Sequence, residues 1–518
     1  MASPLAMIPV LADLLDRHLA ERPGATAFIA GGRAFSYAEF DALSRRAAAW
    51  LHASGIGPGD RVALWLVNRI EWLALLFGLA RLGAAAVSVN TRYRAAELEH
   101  ILAHSGARML VLQPRFRGID FAAVLAGVDE AATRALERVA HLDAAEWPER
   151  ETPVRAAPEA VLAMFTTSGT TSNPKLVVHL QRTIAFHALQ TSRAFGFDQP
   201  GARLLAAIPF CGVYGLCSTL GALAAGAPVV IMESFEAGPA VELARRHAIT
   251  HTFGGDEMYR RMLEAAPGHE PFPSARFFGF AAFQAGAAQF AESAWQRRVP
   301  LTGLYGSSEV QALFASQKPG APLAERIEAG GYPAAGELSA LRVRDVDSGE
   351  LLAPGASGEL EIRSPGNFAG YWANPEASAR AIDKEGFFRT GDIGRLRGDG
   401  SFVFEARRGD AFRLGGYLVS PLEIEDALQR IAGVADVQVV GVDIAGQPKC
   451  VAFVIPDEKE KTDEEAILST VGQRLASFKV PARVWFVERF PVTESANGVK
   501  IQRARLREMA LERLAAAR

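Results

Sequence analysis

Cysteine is scarce in this chain. Only Cys211, Cys217 and Cys450 occur in 518 residues, and their spacing suits no metal. That excludes a disulfide framework and fits a reducing compartment, so the cytoplasm is the expected location. No apolar run approaches the roughly 20 residues that a membrane-spanning helix needs. The N-terminal apolar residues have no basic segment before them, and Asp13, Asp16 and Arg17 follow at once, so no secretory leader is expected. The formal net charge is only -3, which gives no electrostatic case for nucleic acid or an anionic membrane as partner. Nor is there a repeat with a period of 20–50 residues, which excludes a solenoid. What is present, 49% hydrophobic and 22% charged residues, is the composition of a globular protein long enough for more than one domain.

The first 110 residues alternate strand and helix. A hairpin is expected over Ala27–Tyr37, a helix from Tyr37 to Ser54 ended by Gly55, and a strand over Arg61–Leu66. A helix ending near Gly83, a strand over Ala84–Val89, a helix over Ala95–His104 and a strand over Met109–Gln113 follow. Such alternation with short connections predicts a parallel α/β sheet. The Ala-rich segment 115–160 reads as a helix and a connecting loop. Alternation resumes from Thr183 to Phe253. From about Leu341 the texture changes to short strands with turn signals, which predicts a β-rich subdomain, and the last 110 residues or so read as a compact α+β domain.

Between these halves lies Thr166-Thr167-Ser168-Gly169-Thr170-Thr171-Ser172-Asn173-Pro174-Lys175, preceded by the buried strand Val161–Phe165. Glycine lets the backbone pass close to a ligand, hydroxyls and turn N–H groups can donate to phosphate oxygens, and Lys175 adds a mobile positive charge. The spacing of a Walker loop is absent. Four further stretches could serve the same ligand. Tyr305-Gly306-Ser307-Ser308-Glu309 can offer an aromatic face, a hydroxyl and a metal-binding carboxylate. Thr390-Gly391-Asp392 reads as a tight turn whose carboxylate could accept from ribose hydroxyls. Arg407 stands in a charged loop ahead of Gly415-Gly416. Gly498-Val499-Lys500 reads as a turn leading into a helix. Taken singly, each is also an ordinary turn or surface loop.

Their order is what carries a resemblance. Residues 167–175, 305–309, 390–392, 406–416, 421–425 and 498–503 are similar to the successive motifs of the adenylate-forming superfamily, which contains acyl-CoA synthetases, peptide-synthetase adenylation domains and luciferases. Phe35-Ser36-Tyr37-Ala38-Glu39 and Leu82-Gly83-Ala84 fit its early features, so the resemblance spans nearly the whole chain. It implies an α/β fold: a large N-terminal domain (1–408) of two α/β layers plus a β subdomain, and a small mobile α+β C-terminal domain (409–518). It implies ATP and Mg²⁺ as cofactors and CoA as co-substrate. Thr167, Ser168, Gly169, Thr170, Thr171 and Lys175 would cradle pyrophosphate. Tyr305 would stack on adenine, Ser308 would touch the α-phosphate, and Glu309 would hold the metal. Asp392 and Arg407 would fix the ribose, Lys500 would bridge carboxylate and α-phosphate, and Gly415-Gly416 would line the thiol's path.

Departures from the pattern mark what is particular to this chain. Ser172 and Leu176 replace glycines in the phosphate loop, Ser308 replaces threonine, Ala406 replaces the glycine before Arg407, and Val499 separates Gly498 from Lys500. Gly409 occupies the expected hinge, where relatives carry aspartate or lysine. Gly212 stands where many carry histidine. The acyl pocket that the resemblance implies, Phe210, Gly212, Val213, Phe283, Gln284 and Gln311, holds no fixed charge, so an apolar acid is expected. No acid follows the proline of Pro209-Phe210-Cys211, which argues against an amino acid as substrate. A ligase loading a carrier protein, a luciferase-like oxygenase and an inactive nucleotide-binding sensor share these motifs. Oligomeric state stays open, a homodimer included.

Overall fold

The computed structural model describes residues 10–144, 147–149, 156–166, 174–281, 287–414, 417–444, 446–457, 460–495 and 498–516. Local signals set the early elements. Ser36 caps the helix Tyr37–Ala53 by accepting from the Glu39 N–H at 3.1 Å, while the Glu39 carboxylate accepts from the Ser36 N–H at 2.7 Å. Gly83, at φ 71°, ends the helix Ile70–Leu82 in the left-handed conformation. That helix is buried almost all round, which is the mark of an element enclosed between layers.

Two large sheets enclose it. The first has seven strands: Arg61–Trp65 pairs in parallel with Ala85–Ser88 and Met109–Leu112, and Val161–Thr166 pairs in parallel with Ala85–Ser88. In the second, Val229–Ile231, Leu204–Ala206, His251–Gly255, Phe277–Ala281 and Leu301–Ser307 run parallel. Side chains of both sheets meet the helices Tyr37–Ala53, Ile70–Leu82, Gln181–Ala194 and Val213–Ala225 in one continuous core.

Two sequence expectations need correction, and the β-rich one gains a sheet to join. Segment 115–160 is more than a helix and a loop, because Arg138–His141 is a strand that extends the first sheet beside Met109–Leu112. Its burial pattern is mostly exposed, so it carries no apolar signature. The β-rich strands within 340–363 and 388–407 continue the second sheet, to thirteen strands, through Gln311–Ser316 and Gly330–Pro333, while Gly370–Tyr371 joins the edge of the first. Glycines allow that splice. A Cβ on Gly331 would lie 2.1 Å from the Ser316 carbonyl oxygen, and one on Gly330 would lie 2.3 Å from that of Phe402. Finally, Lys500 lies not in a turn but on the strand Gly498–Ile501, paired with Val492–Ser495; the helix begins at Arg503.

The C-terminal part folds around its own cores. Val434–Ile444 and Gln447–Pro456 form a long antiparallel pair that Val484–Phe486 extends in parallel. One face packs on the helices Pro421–Gln429 and Glu464–Gly472, the other on Arg503–Ala516.

Candidate active site

The sequence-derived residues fall into three groups held by different elements. The first is a nucleotide end. Leu301–Ser307 carries Tyr305, and Phe388–Leu396 and Phe402–Arg407 carry Asp392 and Arg407 at paired positions. Asp392 therefore lies on a strand rather than in the tight turn expected, although Gly391, at φ 69°, keeps the left-handed backbone that a turn would have. The Tyr305 hydroxyl donates to Asp392 Oδ2 at 2.5 Å, and Arg407 Nη1 lies 2.8 Å from Asp392 Oδ1. Burial raises the Asp392 pKa, and the Arg407 charge and the Tyr305 hydrogen bond oppose that rise. Burial, with the Asp392 charge second, pushes the Tyr305 phenol well up, so it stays a donor. Arg407 is raised in turn by the Asp392 charge. Asp392 is 1% exposed, yet among the described residues its Oδ1 receives no aligned hydrogen bond. An acceptor held by the Arg407 charge without an aligned hydrogen bond can still take a donor from a ligand.

The second group is a phosphate end. Thr167, Ser168, Gly169, Thr170 and Thr171 lie outside the described residues, but both ends of their loop are placed. Val161–Thr166 runs out, and Leu176–Leu180 returns antiparallel, with Leu176 opposite Thr166. The loop is thus the connection of a hairpin, a feature the sequence reading missed. Tyr93 shares a hydroxyl hydrogen bond of 3.0 Å with Thr166 at one end, and the His100 ring bonds the Pro174 carbonyl at 2.9 Å at the other. Lys175 places its Nζ over the Tyr371 ring, 4.6 Å from the centroid. The Tyr371 hydroxyl donates to Glu309 Oε1 at 3.0 Å.

The backbone between these ends is tightly braced. His179 Nε2 donates to the Ser308 carbonyl at 2.7 Å, and Ser307 Oγ accepts from the Glu309 N–H at 3.2 Å. Burial lowers the His179 pKa to about 4, which keeps the ring neutral. The return strand Gln311–Ser316 holds Gln311 at φ 67° and Leu313 at φ 63°, conformations that cost such residues about 1–3 kcal/mol each. Gln311, expected in the acyl pocket, has its amide engaged inside the protein. Its Nε2 donates to the carbonyls of Thr183 and Gly366, at 2.9 and 2.8 Å, and its Oε1 faces Cys217 Sγ at 3.6 Å.

The third group is the acyl side. Phe210, Gly212 and Val213 are buried at the start of the helix Val213–Ala225, while Phe283 and Gln284 lie outside the described residues. Asn68, unremarked in the sequence, fixes this turn: its Oδ1 accepts from the Phe210 N–H at 2.7 Å and its Nδ2 donates to Ile208 at 2.9 Å. The helix starts hard against the turn, since a Cβ on Gly215 would lie 2.3 Å from the Pro209 carbonyl oxygen. Tyr214 points inward, with its hydroxyl 3.2 Å from the Gly279 carbonyl and 3.4 Å from that of Gly254. A separate, largely apolar cavity of about 370 Å³ opens beside Trp372, Arg61 and Met164, and none of the site residues lines it.

In the C-terminal part, Gly415 and Gly416 lie outside the described residues, and only the backbone of Lys500 is described. Arg503, three residues on, makes a buried ion pair with Glu425 of the 421–425 motif: Nη2 to Oε2 is 2.8 Å, and Nη1 also reaches Oε1 and the Val439 carbonyl. Two sequence motifs nearly 80 residues apart are thus one structural unit.

The chain matches the AMP-binding enzyme family over residues 15–372, and that family's C-terminal domain over 423–497. It belongs to that family. An indoleacetate–CoA ligase of Aromatoleum aromaticum is 32% identical, covering 93% of this chain and 95% of the relative. A 3-hydroxybenzoate/4-hydroxybenzoate–CoA ligase of Thauera aromatica is 29% identical, covering 96% of each. Among solved structures, ATP-bound MatB of Rhodopseudomonas palustris superposes with a TM-score of 0.83 at 26% identity, over 96% of this chain and 98% of that one. The sequence resemblance and the expected α/β fold are borne out. Among the described residues no helix is long and apolar enough to cross a membrane.

Proposed function

We propose that this protein activates an apolar carboxylic acid, aromatic or of similar bulk, as its acyl-adenylate and transfers the acyl group to CoA. The enzyme is an AMP-forming acid–CoA ligase, with ATP and Mg²⁺ as cofactors and CoA as co-substrate. The acid's carboxylate attacks the α-phosphorus of ATP, a P–O bond breaks and pyrophosphate leaves. The CoA thiolate then attacks the acyl carbonyl and AMP departs.

One observation carries the nucleotide assignment: the buried Asp392 carboxylate, whose Oδ2 takes the Tyr305 hydroxyl and whose Oδ1, beside the Arg407 guanidinium, receives no aligned hydrogen bond among the described residues. It suits a ribose hydroxyl, which donates, and Arg407 can serve the second hydroxyl or the adjacent phosphate. In the first step an anion meets a polyanion, so catalysis rests on positioning and charge neutralisation. Lys175 and the hydroxyls of 167–171 would take the pyrophosphate end, and Ser308, on a backbone pinned by His179, would meet the α-phosphate. Glu309 is a hard oxygen ligand suited to Mg²⁺, which when bound neutralises phosphate charge. Lys500 bridges the attacking carboxylate and the α-phosphate. Rotation of the C-terminal domain about Gly409 then brings Gly415-Gly416 to the thiol's path.

Phe210, Gly212 and Val213 supply no charge to the acyl side, and the two relatives above are named for aromatic acids. Both features support an apolar aromatic substrate. Three buried free thiols support a reducing, cytoplasmic setting. ATP–pyrophosphate exchange tests the reading. Exchange should depend on added indoleacetate- or hydroxybenzoate-like acids and exceed that with acetate by tenfold or more, as a few methylenes' worth of apolar contact gives. Exchange with acetate alone, or none with any acid, would overturn it.

A further inference from the structure

Tyr371 belongs to none of the motifs above, yet it touches both charged groups of the phosphate end. The short strand Gly370–Tyr371 lies antiparallel to Leu176–Leu180, with Tyr371 opposite Val177. Side chains alternate along a strand, so Lys175, two residues before Val177, falls diagonally beside Tyr371 on the same face. That register lays the ammonium over the ring, 4.6 Å from its centroid. The same segment grips the Tyr305–Glu309 turn from the other side. The Phe368 N–H donates to the Glu309 carbonyl at 2.7 Å, and the Tyr371 hydroxyl donates to Glu309 Oε1 at 3.0 Å. The Phe368 ring, edge-on to Tyr371 at 5.0 Å, steadies the phenol.

We infer that Tyr371 is a positioning residue of the phosphate end, its hydroxyl aiming the Glu309 carboxylate at the metal and its ring face presenting Lys175 to the pyrophosphate. This rests on the ATP-site reading above. A carboxylate with one oxygen held keeps its other oxygen in a fixed direction, and partners of this kind commonly govern metal affinity about tenfold or more. The ring's attraction for the ammonium is weaker, worth a few-fold in affinity where the group is partly exposed.

Tyr371→Phe and Tyr371→Leu separate the two contacts. Two quantities should be measured on purified enzyme: the half-saturating Mg²⁺ for pyrophosphate exchange, and the calorimetric affinity for ATP in EDTA, with thermal midpoints as a check on folding. For Tyr371→Phe, the Mg²⁺ requirement should rise about tenfold while metal-free ATP affinity stays within about twofold of wild type. For Tyr371→Leu, metal-free ATP affinity should also fall, by about threefold. A Mg²⁺ requirement unchanged in Tyr371→Phe overturns the inference, whether exchange is normal or uniformly reduced. Should Tyr371→Leu not fold, Tyr371→Phe alone decides. Wild-type enzyme that binds no ATP would overturn the site reading itself, whereas wild-type binding with an unmoved Mg²⁺ requirement in Tyr371→Phe overturns only this step.

Discussion

The Tyr305 hydroxyl donates to a carboxylate oxygen of Asp392 at 2.5 Å, and the other oxygen of that buried carboxylate faces Arg407 without an aligned hydrogen bond. The arrangement fixes the acid's direction and leaves one acceptor for a ligand. Asp392→Asn should therefore raise KM for ATP by about tenfold, the scale of a lost hydrogen bond to a charged group, and leave KM for the acid nearly unchanged. Steady-state kinetics with each substrate varied in turn check this. Equal rises in both KM values would contradict it.

Lys500 sits on a paired strand, three residues before the Arg503 of the buried Arg503–Glu425 pair. Lys500→Ala should slow adenylate formation by about 10²–10³-fold, as loss of one transition-state charge contact does. Thioester formation from synthetic acyl-adenylate should largely survive. Rapid-quench measurement of the two half-reactions decides, and equal losses in both would remove Lys500 from its assigned place.

Arg503 and Glu425 predict a stability effect distinct from catalysis. Glu425 is fully buried, and its Oε1 also accepts from the Val439 N–H at 2.6 Å. Arg503→Ala leaves that charge without its partner and should cost about 3–5 kcal/mol. Urea denaturation should show the loss in the transition of the C-terminal part. A cost below about 1 kcal/mol would mean that the pair is dispensable.

The Gly409 carbonyl faces Arg507 Nη2 at 3.5 Å, and a Cβ placed on Gly409 would meet nothing within 4 Å. Gly409→Ala should thus be nearly silent, while Gly409→Pro, which fixes φ near about -65°, should impair one half-reaction far more than the other. Mild and equal losses in Gly409→Pro would put the pivot elsewhere.

Buried histidines make stability depend on pH. Burial lowers His179, His187 and His251 each to about 4, below the ordinary 6.5. The native rings stay neutral where unfolded rings bind protons, so their contribution is full above about pH 6.5 and is lost as pH falls from there towards 4. Each should contribute a slope of about 1.4 kcal/mol per pH unit inside that window. Urea titrations at pH 7, 6 and 5 test this, and His187→Gln should flatten the slope by about one such increment. A flat profile from pH 7 to 5 would contradict the neutral, buried state.

Much of this was legible in residue order. The motif residues Tyr305, Asp392 and Arg407 converge as expected, because each lies on a strand whose apolar neighbours fix its face. What escaped was contact made by pairing. Tyr371, His179 and Asn68 reach the site across strands or from a distant turn, and no local spacing announces a partner more than 50 residues away. The engagement of the Gln311 amide by the Thr183 and Gly366 carbonyls, at a residue with positive φ, is likewise something that no pattern in one sequence reveals. The strand Arg138–His141 escaped because an edge strand with an exposed face lacks the apolar alternation that marks its neighbours.

The central claim is that one site adenylates an apolar acid and hands it to CoA. AMP release across a panel of carboxylic acids, with and without CoA and with the product resolved by mass, tests it most directly. The account predicts slow, near-stoichiometric AMP release without CoA, a large acceleration on adding CoA, an acyl-CoA product, and a preference for aromatic or comparably bulky apolar acids over acetate. AMP release that CoA does not accelerate, with no acyl-CoA formed from any acid, would contradict it.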